Sequence, residues 1–380
     1  MNRSEALKIL GKRLTMRREE AGLSVTDLAA RTELSATAIE AYERGEGNLG
    51  TAHLLRIARV LEVDAGQLLH TNAPEDAAHV EPSVLLRSKG LSGHLSNADL
   101  EAIAAGMRRA RAFTTVGELI RAPRLADVPD FRPAPAPREN SYVAGYELAN
   151  RVRRLLPERP GTLKNLWRLL EDRFNILVLR YAFESNAIEG AACRSGTARV
   201  IFLNANLAFE GKRRFVLAHE LAHHLVDLAN DDITTDERVE GTFSMERSPE
   251  EKRANSFAVM FIAHEPELRR LLGLPGSVNI PGSKAKAFVE DVRRKFGLGP
   301  EAMTRHLQNL RYLSEPVADE LVTELTGKDD DLRGFEDEPA YDGLERRVGA
   351  ALDAGIITRG RARELLGLSP YEDTKLLAAL

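Results

Sequence analysis

The sequence predicts a multidomain, mainly α-helical chain with one α+β domain set into its middle. Three observations carry that expectation. Apolar residues recur at helical spacing through most of the 380 residues. One region, Asn175 to Asn204, switches to the short apolar runs of strands. Pro-rich and acidic stretches, Pro129–Pro137 and Lys328–Pro339, then break the chain into parts.

Bulk numbers exclude several classes. A hydrophobic content of 43% and a charged content of 29% are ordinary for a soluble globular chain. A net charge of -4 means that any attraction to nucleic acid must be local. The single cysteine, Cys193, excludes an intramolecular disulfide and a cysteine-based zinc knuckle, and it fits a reducing cytoplasm. No run approaches 18 apolar residues, and Met1-Asn-Arg-Ser-Glu5 lacks a signal-peptide core. A cytoplasmic protein without a membrane partner is expected.

From Glu5 to Arg17 the pattern is helical, and it breaks at Gly22. Ser24-Val-Thr-Asp27 reads as an N-cap opening a short helix, and Ser35 caps the next, which ends at Tyr42-Glu43-Arg44-Gly45. Thr51–Leu61 and Ala65–Leu69 complete five helices over residues 1–72. Two short helices joined by a tight turn within five resemble the Xre/lambda-repressor type helix-turn-helix (HTH) domain. Leu23-Ser24, Leu28-Ala29, Leu34-Ser35, Ile39 and Tyr42–Gly45 carry that resemblance. It implies that the second helix of the pair enters the major groove of DNA by its N-terminal end, offering Ser35, Ala36, Thr37 and Glu40. Thr26, Arg31 and Arg44 are the phosphate candidates. The sequence departs from the family at Val25, where Gln is usual. Its first 72 residues are also neutral, with ten Lys/Arg and ten Asp/Glu. A bundle used for dimerising, or for docking a related repressor, is the other use of such a domain.

Residues 73–140 read as a connector. A polar linker comes first, then a helix from Asn97 through Arg108, Arg109 and Arg111, then a stiff Pro-rich spacer. The domain placed at 141–272 starts with helices at Tyr142–Leu156 and Thr162–Phe174. Strands follow at 175–183, 187–194 and 198–204. They lead into Phe215-Val-Leu-Ala-His219-Glu220-Leu-Ala-His223-His224, a helix with an apolar stripe. His219 and His223, four residues apart, leave one face of it, so two neutral imidazoles can reach one ion about 2 Å away. Glu220 is rotated about 100° round the helix, where a carboxylate can take a proton from water without coordinating the ion. This is the His-Glu-x-x-His pattern of zinc peptidases. A core helix with two satisfied histidines is the competing reading, and a third ligand decides between them.

The wider pattern resembles the ImmA/IrrE family of zinc metallo-endopeptidases. It includes Ile188 and Gly190, Ile201 and Asn204, Arg213-Arg214-Phe215-x-Leu217-Ala218-His219-Glu220-x-x-His223, and Glu251-x-x-Ala254-Asn255-x-Phe257-Ala258. The resemblance implies a zincin-like α+β fold and a third ligand from a Glu on the later helix. Glu251 is expected, with Glu250 the neighbouring alternative. Asn255, four residues on, would hydrogen-bond a ligand histidine. One Zn2+ per chain follows, with Mn2+ or another divalent ion also compatible. A departure stands at His264, where a helix-ending Pro is usual; His264 and His224 are candidate transition-state donors or packing residues.

The metal would activate water for peptide hydrolysis, with Glu220 as the base. A substrate segment is expected to add as a strand beside Ala198–Asn204, and Asp227–Ser248 is a lid or a loose loop. Residues 273–380 read as a C-terminal helical domain: helices at 285–296 and 301–313, then a last small bundle at 345–354, 358–366 and 370–380. Gly360, Arg361 and Arg363 hint at a second HTH-like turn, or the bundle is a scaffold that pairs two chains as a homodimer. The family resemblance implies a protein substrate, an HTH repressor cut to derepress genes for stress response, mobile elements or phage defence. The alternative is a DNA-binding transcription regulator whose metallopeptidase-like domain senses or assembles without cleaving.

Overall fold

The protein's structure, a computed structural model, describes residues 3–21, 23–46, 49–61, 95–122, 141–156, 162–185, 188–228, 232–237, 249–273, 279–325, 332, 334–335 and 342–368. The chain forms two compact units, Met1–His79 and Val80–Leu380.

The first unit contains α1 (Arg3–Glu20), α2 (Val25–Thr32), α3 (Ala36–Glu43) and α4 (Thr51–Val60). The fifth helix expected at Ala65–Leu69 lies outside the described residues. Ser24 and Asp27 close a reciprocal capping box on α2, and Ser35 caps α3 through the Ala38 amide. Leu14, Leu28, Ile39 and Ile57 are fully buried between the four helices. The Arg18 guanidinium grips the Glu43 carboxylate with both arms, at 2.6 and 3.1 Å, tying α1 to the end of α3.

In the second unit the described helices are α5 (Asn97–Leu119), α6 (Ser141–Leu155), α7 (Leu166–Arg173), α8 (Glu210–Val226), α9 (Pro249–Ile262), α10 (Glu265–Leu272), α11 (Gly282–Phe296), α12 (Pro300–Asn309), α13 (Glu315–Leu325), α14 (Gly343–Asp353) and α15 (Arg359–Leu366). The strands are β1 (Leu177–Tyr181), β2 (Ile188–Ser195), β3 (Ala198–Asn204) and β4 (Asp232–Glu237). They form one sheet in the order β1-β3-β2-β4. β1 runs parallel to β3, whereas β2 is antiparallel to both β3 and β4. β4 arises in the stretch expected as a lid or loose loop. Ile233 is its only apolar residue, so no side-chain period announces it, and its backbone ladder to β2 makes it a strand. The ordering also corrects the expectation that a substrate adds beside Ala198–Asn204. β3 is an inner strand with β1 on one side and β2 on the other, so its backbone is already paired.

β2 and β3 are covered on both faces. On one face Val178, Ile201 and Leu203 pack with α6–α13 in the larger core. On the other face Leu177, Val200, Phe202 and Cys193 pack with α5, α14 and α15. Strands covered on both sides carry near-continuous apolar runs, as Val200-Ile-Phe-Leu203 does. The helix expected as part of a connector, α5, is therefore a structural layer of the sheet. The C-terminal helices likewise divide: α11–α13 complete the larger core, and α14–α15 cover the far face instead of forming a separate bundle. Arg361 and Arg363 lie in α15; Pro370–Leu380 falls outside the described residues.

Arg347 fixes α14 in place. Its guanidinium lies 3.4 Å from the centroid of the Phe113 ring and donates to the carbonyls of Phe113 and Glu171 and to Asn175 Oδ1. The neighbouring Arg346 pairs with the buried Glu171. Burial raises the Glu171 pKa, against the pull of that guanidinium. Glu171 Oε1 also accepts from the amide of Val178 on β1, at 3.4 Å.

His306 on α12 is a buried cross-link of the larger core. Its Nε2–H donates to the Ala263 carbonyl at 2.8 Å, so Nδ1 accepts from the Tyr146 hydroxyl at 2.6 Å. Burial pushes its pKa down to about 4. The unfolded imidazole takes its proton near 6.5, before the folded one does. The stabilisation is thus complete above 6.5 and is lost as pH falls toward 4, on the order of 3 kcal/mol. We expect the melting temperature to fall across that window. In His306→Gln, unfolding followed by circular dichroism should begin from a lower value and depend less steeply on pH. An unchanged slope would show that this imidazole does not control the acid limb.

Candidate metal centre

The candidate centre is built where α8 meets α9. α8 is buried nearly all round, by Val216, Leu217, Ala218, Leu221 and Ala222. Arg214 anchors its first half. This fully buried guanidinium donates to the carbonyls of Leu163 and Gly297, at 2.7 and 3.1 Å, and lies 4.8 Å from the Phe335 ring centroid. The last carbonyls of α11 carry the negative end of its dipole, which suits a buried cation. α9 is backed closely by α6. A Cβ at Gly145 would stand 2.3 Å from the Arg253 carbonyl oxygen and 2.8 Å from the Phe257 amide nitrogen. Only glycine permits that approach, and it sets the position of the helix bearing Glu251 and Asn255.

His219, His223 and Glu251 converge as one group able to hold a metal ion, the only such group among the described residues. Nε2 of His219 and Nε2 of His223 are 3.0 Å apart. The Glu251 oxygens lie 3.3 Å from the first and 3.4 Å from the second. Donors about 2.0–2.1 Å from a tetrahedral ion stand about 3.3 Å from one another. The three approaches are close to that spacing, the carboxylate turning a different oxygen to each imidazole, Oε2 to His219 and Oε1 to His223, so the three side chains can share one ion. The other nitrogen of each imidazole is held in turn. His219 Nδ1 donates to Asn255 Oδ1 at 2.9 Å, and His223 Nδ1 donates to Asp227 Oδ2 at 2.8 Å. Both bonds direct the Nε2 lone pairs toward the shared centre.

Electrostatics follow from that packing. Burial opposes charge on His223, but hydrogen bonds to Asp227 and Glu251, with the field of Glu220, outweigh it and hold its pKa well above the ordinary value. Burial likewise opposes charge on Glu251, yet its bonds to the two imidazoles hold the carboxyl well below the usual range. Glu220 is fully buried beside them. Its carboxylate lies against β2, where a Cβ at Gly190 would stand 2.9 Å from Glu220 Oε1. Glu250 starts the same helix as Glu251 but is not in the converging group.

His224 and His264 bond elsewhere. His224 Nε2 donates to the Val200 carbonyl at 3.1 Å, and burial pushes its pKa down to about 3. His264 Nε2 bonds Asn150 Oδ1 at 2.9 Å, and its pKa is lowered to about 4, again mainly by burial. Sequence reasoning missed Asp227 and Arg253. Asp227 stands four residues after His223, on the same helical face, and its second oxygen pairs with Arg253 of α9. That i, i+4 spacing was the available signal.

In the first unit, Thr26, Arg31, Thr37 and Glu40 are exposed on α2 and α3, and Ala36 is half-buried at the start of α3. Ser35 spends its hydroxyl on the α3 cap. Arg44 pairs with Glu46 at 2.9 Å and lies 3.8 Å from Glu40.

Comparison with known families agrees with this division. Residues 9–70 match the helix-turn-helix domain, and residues 171–307 match the IrrE N-terminal-like domain, a peptidase family. The chain joins an HTH domain to an IrrE N-terminal-like domain. The second match spans β1–β3, α8 and α9, and runs on into α12. No curated protein matches the chain significantly. No described helix is long and apolar enough to cross a membrane.

Asp227→Asn keeps the side-chain size but weakens the bond that aims His223. Affinity for Zn2+, measured against a chromophoric chelator, should fall about tenfold while the circular dichroism spectrum is unchanged. Equal affinity in both proteins would remove Asp227 from the centre's design.

Proposed function

We propose that this chain is a zinc-dependent endopeptidase that cleaves a protein in the cytoplasm, with an HTH transcriptional repressor as substrate. The observation that carries the reading is the convergence of buried His219 and His223 with half-buried Glu251, close enough to share one ion, with Glu220 alongside. Two imidazoles and one carboxylate with a fourth corner open are the donor set of catalytic zinc. When bound, such an ion supplies Lewis acidity, lowering the pKa of water and polarising a carbonyl. Asn255 and Asp227 hold the imidazole tautomers that leave both Nε2 lone pairs free for it. Glu220, the general base, takes the proton of the attacking water and passes it to the leaving amine as the peptide bond breaks. Its burial excludes competing solvent and strengthens each charge interaction in the site.

The HTH domain supports DNA binding, and we assign the contact to α3, with Ser35, Ala36, Thr37 and Glu40 toward the bases. Thr26, Arg31 and Arg44 are assigned to phosphates. A repressor docked on the same bundle would give the peptidase its substrate. The presence of that domain in the same chain is also what favours a second reading, a DNA-binding regulator whose metallopeptidase-like domain senses or assembles without cleaving.

Metal analysis of the purified chain, with a panel of purified helix-turn-helix repressors as substrates, separates the two. We expect Glu220→Gln to keep its metal and to lose cleavage by at least about 100-fold. Metal retention with no Glu220-dependent cleavage would establish the regulator. For the DNA contact, Arg31→Ala should reduce the slope of log affinity against log salt by about 1 on duplex DNA. An unaltered slope would take Arg31 off the phosphate backbone.

A further inference from the structure

β2 is the strand against which the centre is built. At Gly190 the absence of a side chain lets Val216 and Glu220 of α8 reach the strand; a Cβ there would stand 2.6 Å from Val216 Cγ1 and 2.9 Å from Glu220 Oε1. Beside Gly190, Glu189 pairs with Lys212 of α8 at 2.6 Å, so strand and helix are fastened at that point. Gly190 has two backbone neighbours. Leu203 of β3 is on one side, and Asp236 of β4 is on the other. β4 is antiparallel to β2, comes from the segment between α8 and α9, and breaks register between Ile188 and Gly190, beside the general base.

We propose that β4, Asp232–Glu237, occupies in cis the strand position that an extended substrate must take, so that the resting peptidase is latent until β4 is displaced. The proposal rests on the hydrolase reading above. Spacing decides between this and the simpler idea that substrate adds outside β4. Adjacent strands lie about 4.8 Å apart, so a peptide beyond β4 runs about 10 Å from β2, whereas one replacing β4 runs directly beside the residue that touches Glu220. Among the described residues β4 is paired to β2 alone, and Ile233 is its only apolar residue. A segment held by one ladder is suited to exchange with a competing strand.

The test uses the zinc-loaded full chain and two β4 variants. One is Thr234→Pro with Thr235→Pro, since proline removes the ladder donors; the other replaces residues 232–237 with Gly and Ser at unchanged length. Cleavage of casein, an unstructured general substrate, should rise at least tenfold in both, with zinc content unchanged. Glu220→Gln in each background should abolish the gain. A fluorescent peptide with the sequence of residues 230–239 supplies a readout free of catalysis. It should bind the β4 variants carrying Glu220→Gln, and bind the parent carrying Glu220→Gln at least tenfold more weakly. Cleavage that stays level or falls while zinc is retained overturns the latency, as does peptide binding that is equal in variant and parent. If no background shows Glu220-dependent cleavage, the hydrolase reading fails separately, and the peptide titration alone decides whether β4 fills an exchangeable position.

Discussion

Three lone-pair donors meet at one point, two of them on buried imidazoles and the third on a half-buried carboxylate, and the second unit is organised around that constraint. Two imidazole nitrogens and a carboxylate within 3.4 Å of one another repel unless a proton or a cation lies between them. Such an arrangement holds only if every donor is fixed from behind. Asn255 and Asp227 do this for the imidazoles, and Arg253 fixes Asp227 from the opposite helix. The circuit is closed: α8 supplies His223, its C-terminal end supplies Asp227, and α9 supplies Arg253 and Glu251. Small errors in helix placement would open it, which gives Gly145 and Arg214 their importance.

Much of the centre was legible because helical periodicity converts spacing into geometry. His219, Glu220 and His223 lie within five residues, so one helix fixes their relation. Glu251 and Asn255 share a face for the same reason, and the family resemblance supplied their link to the first helix. Asp227 went unnoticed because it stood at the end of the apolar pattern, where the chain seemed to pass into a polar loop. β4 was invisible for a different reason. A strand held by backbone pairing, with one apolar residue in six, leaves no alternation to read.

The fold was legible by element and less so by layer. N-caps and strand runs gave α2, α3 and the strands β1, β2 and β3 close to their observed bounds. Which helices cover which face is a long-range question, and local signals do not answer it. The apolar run Val200–Leu203 carried the missing clue, since a strand apolar at every position needs cover on both sides. That clue calls for helices on both faces of the strand but does not say which ones. The match of residues 171–307 to the IrrE N-terminal-like domain bears out the peptidase-like fold.

The docking of α14 on the far side of the sheet has a consequence for how this protein is made. Ribosomes deliver α5 early, yet the residues that finish that layer, 343–366, emerge long after the strands. Until then Leu177, Val200 and Phe202 lack their full cover, a state prone to association with other nascent chains. Chaperone capture during translation should therefore concentrate on intermediates in which Arg347 has not yet reached the Phe113 ring.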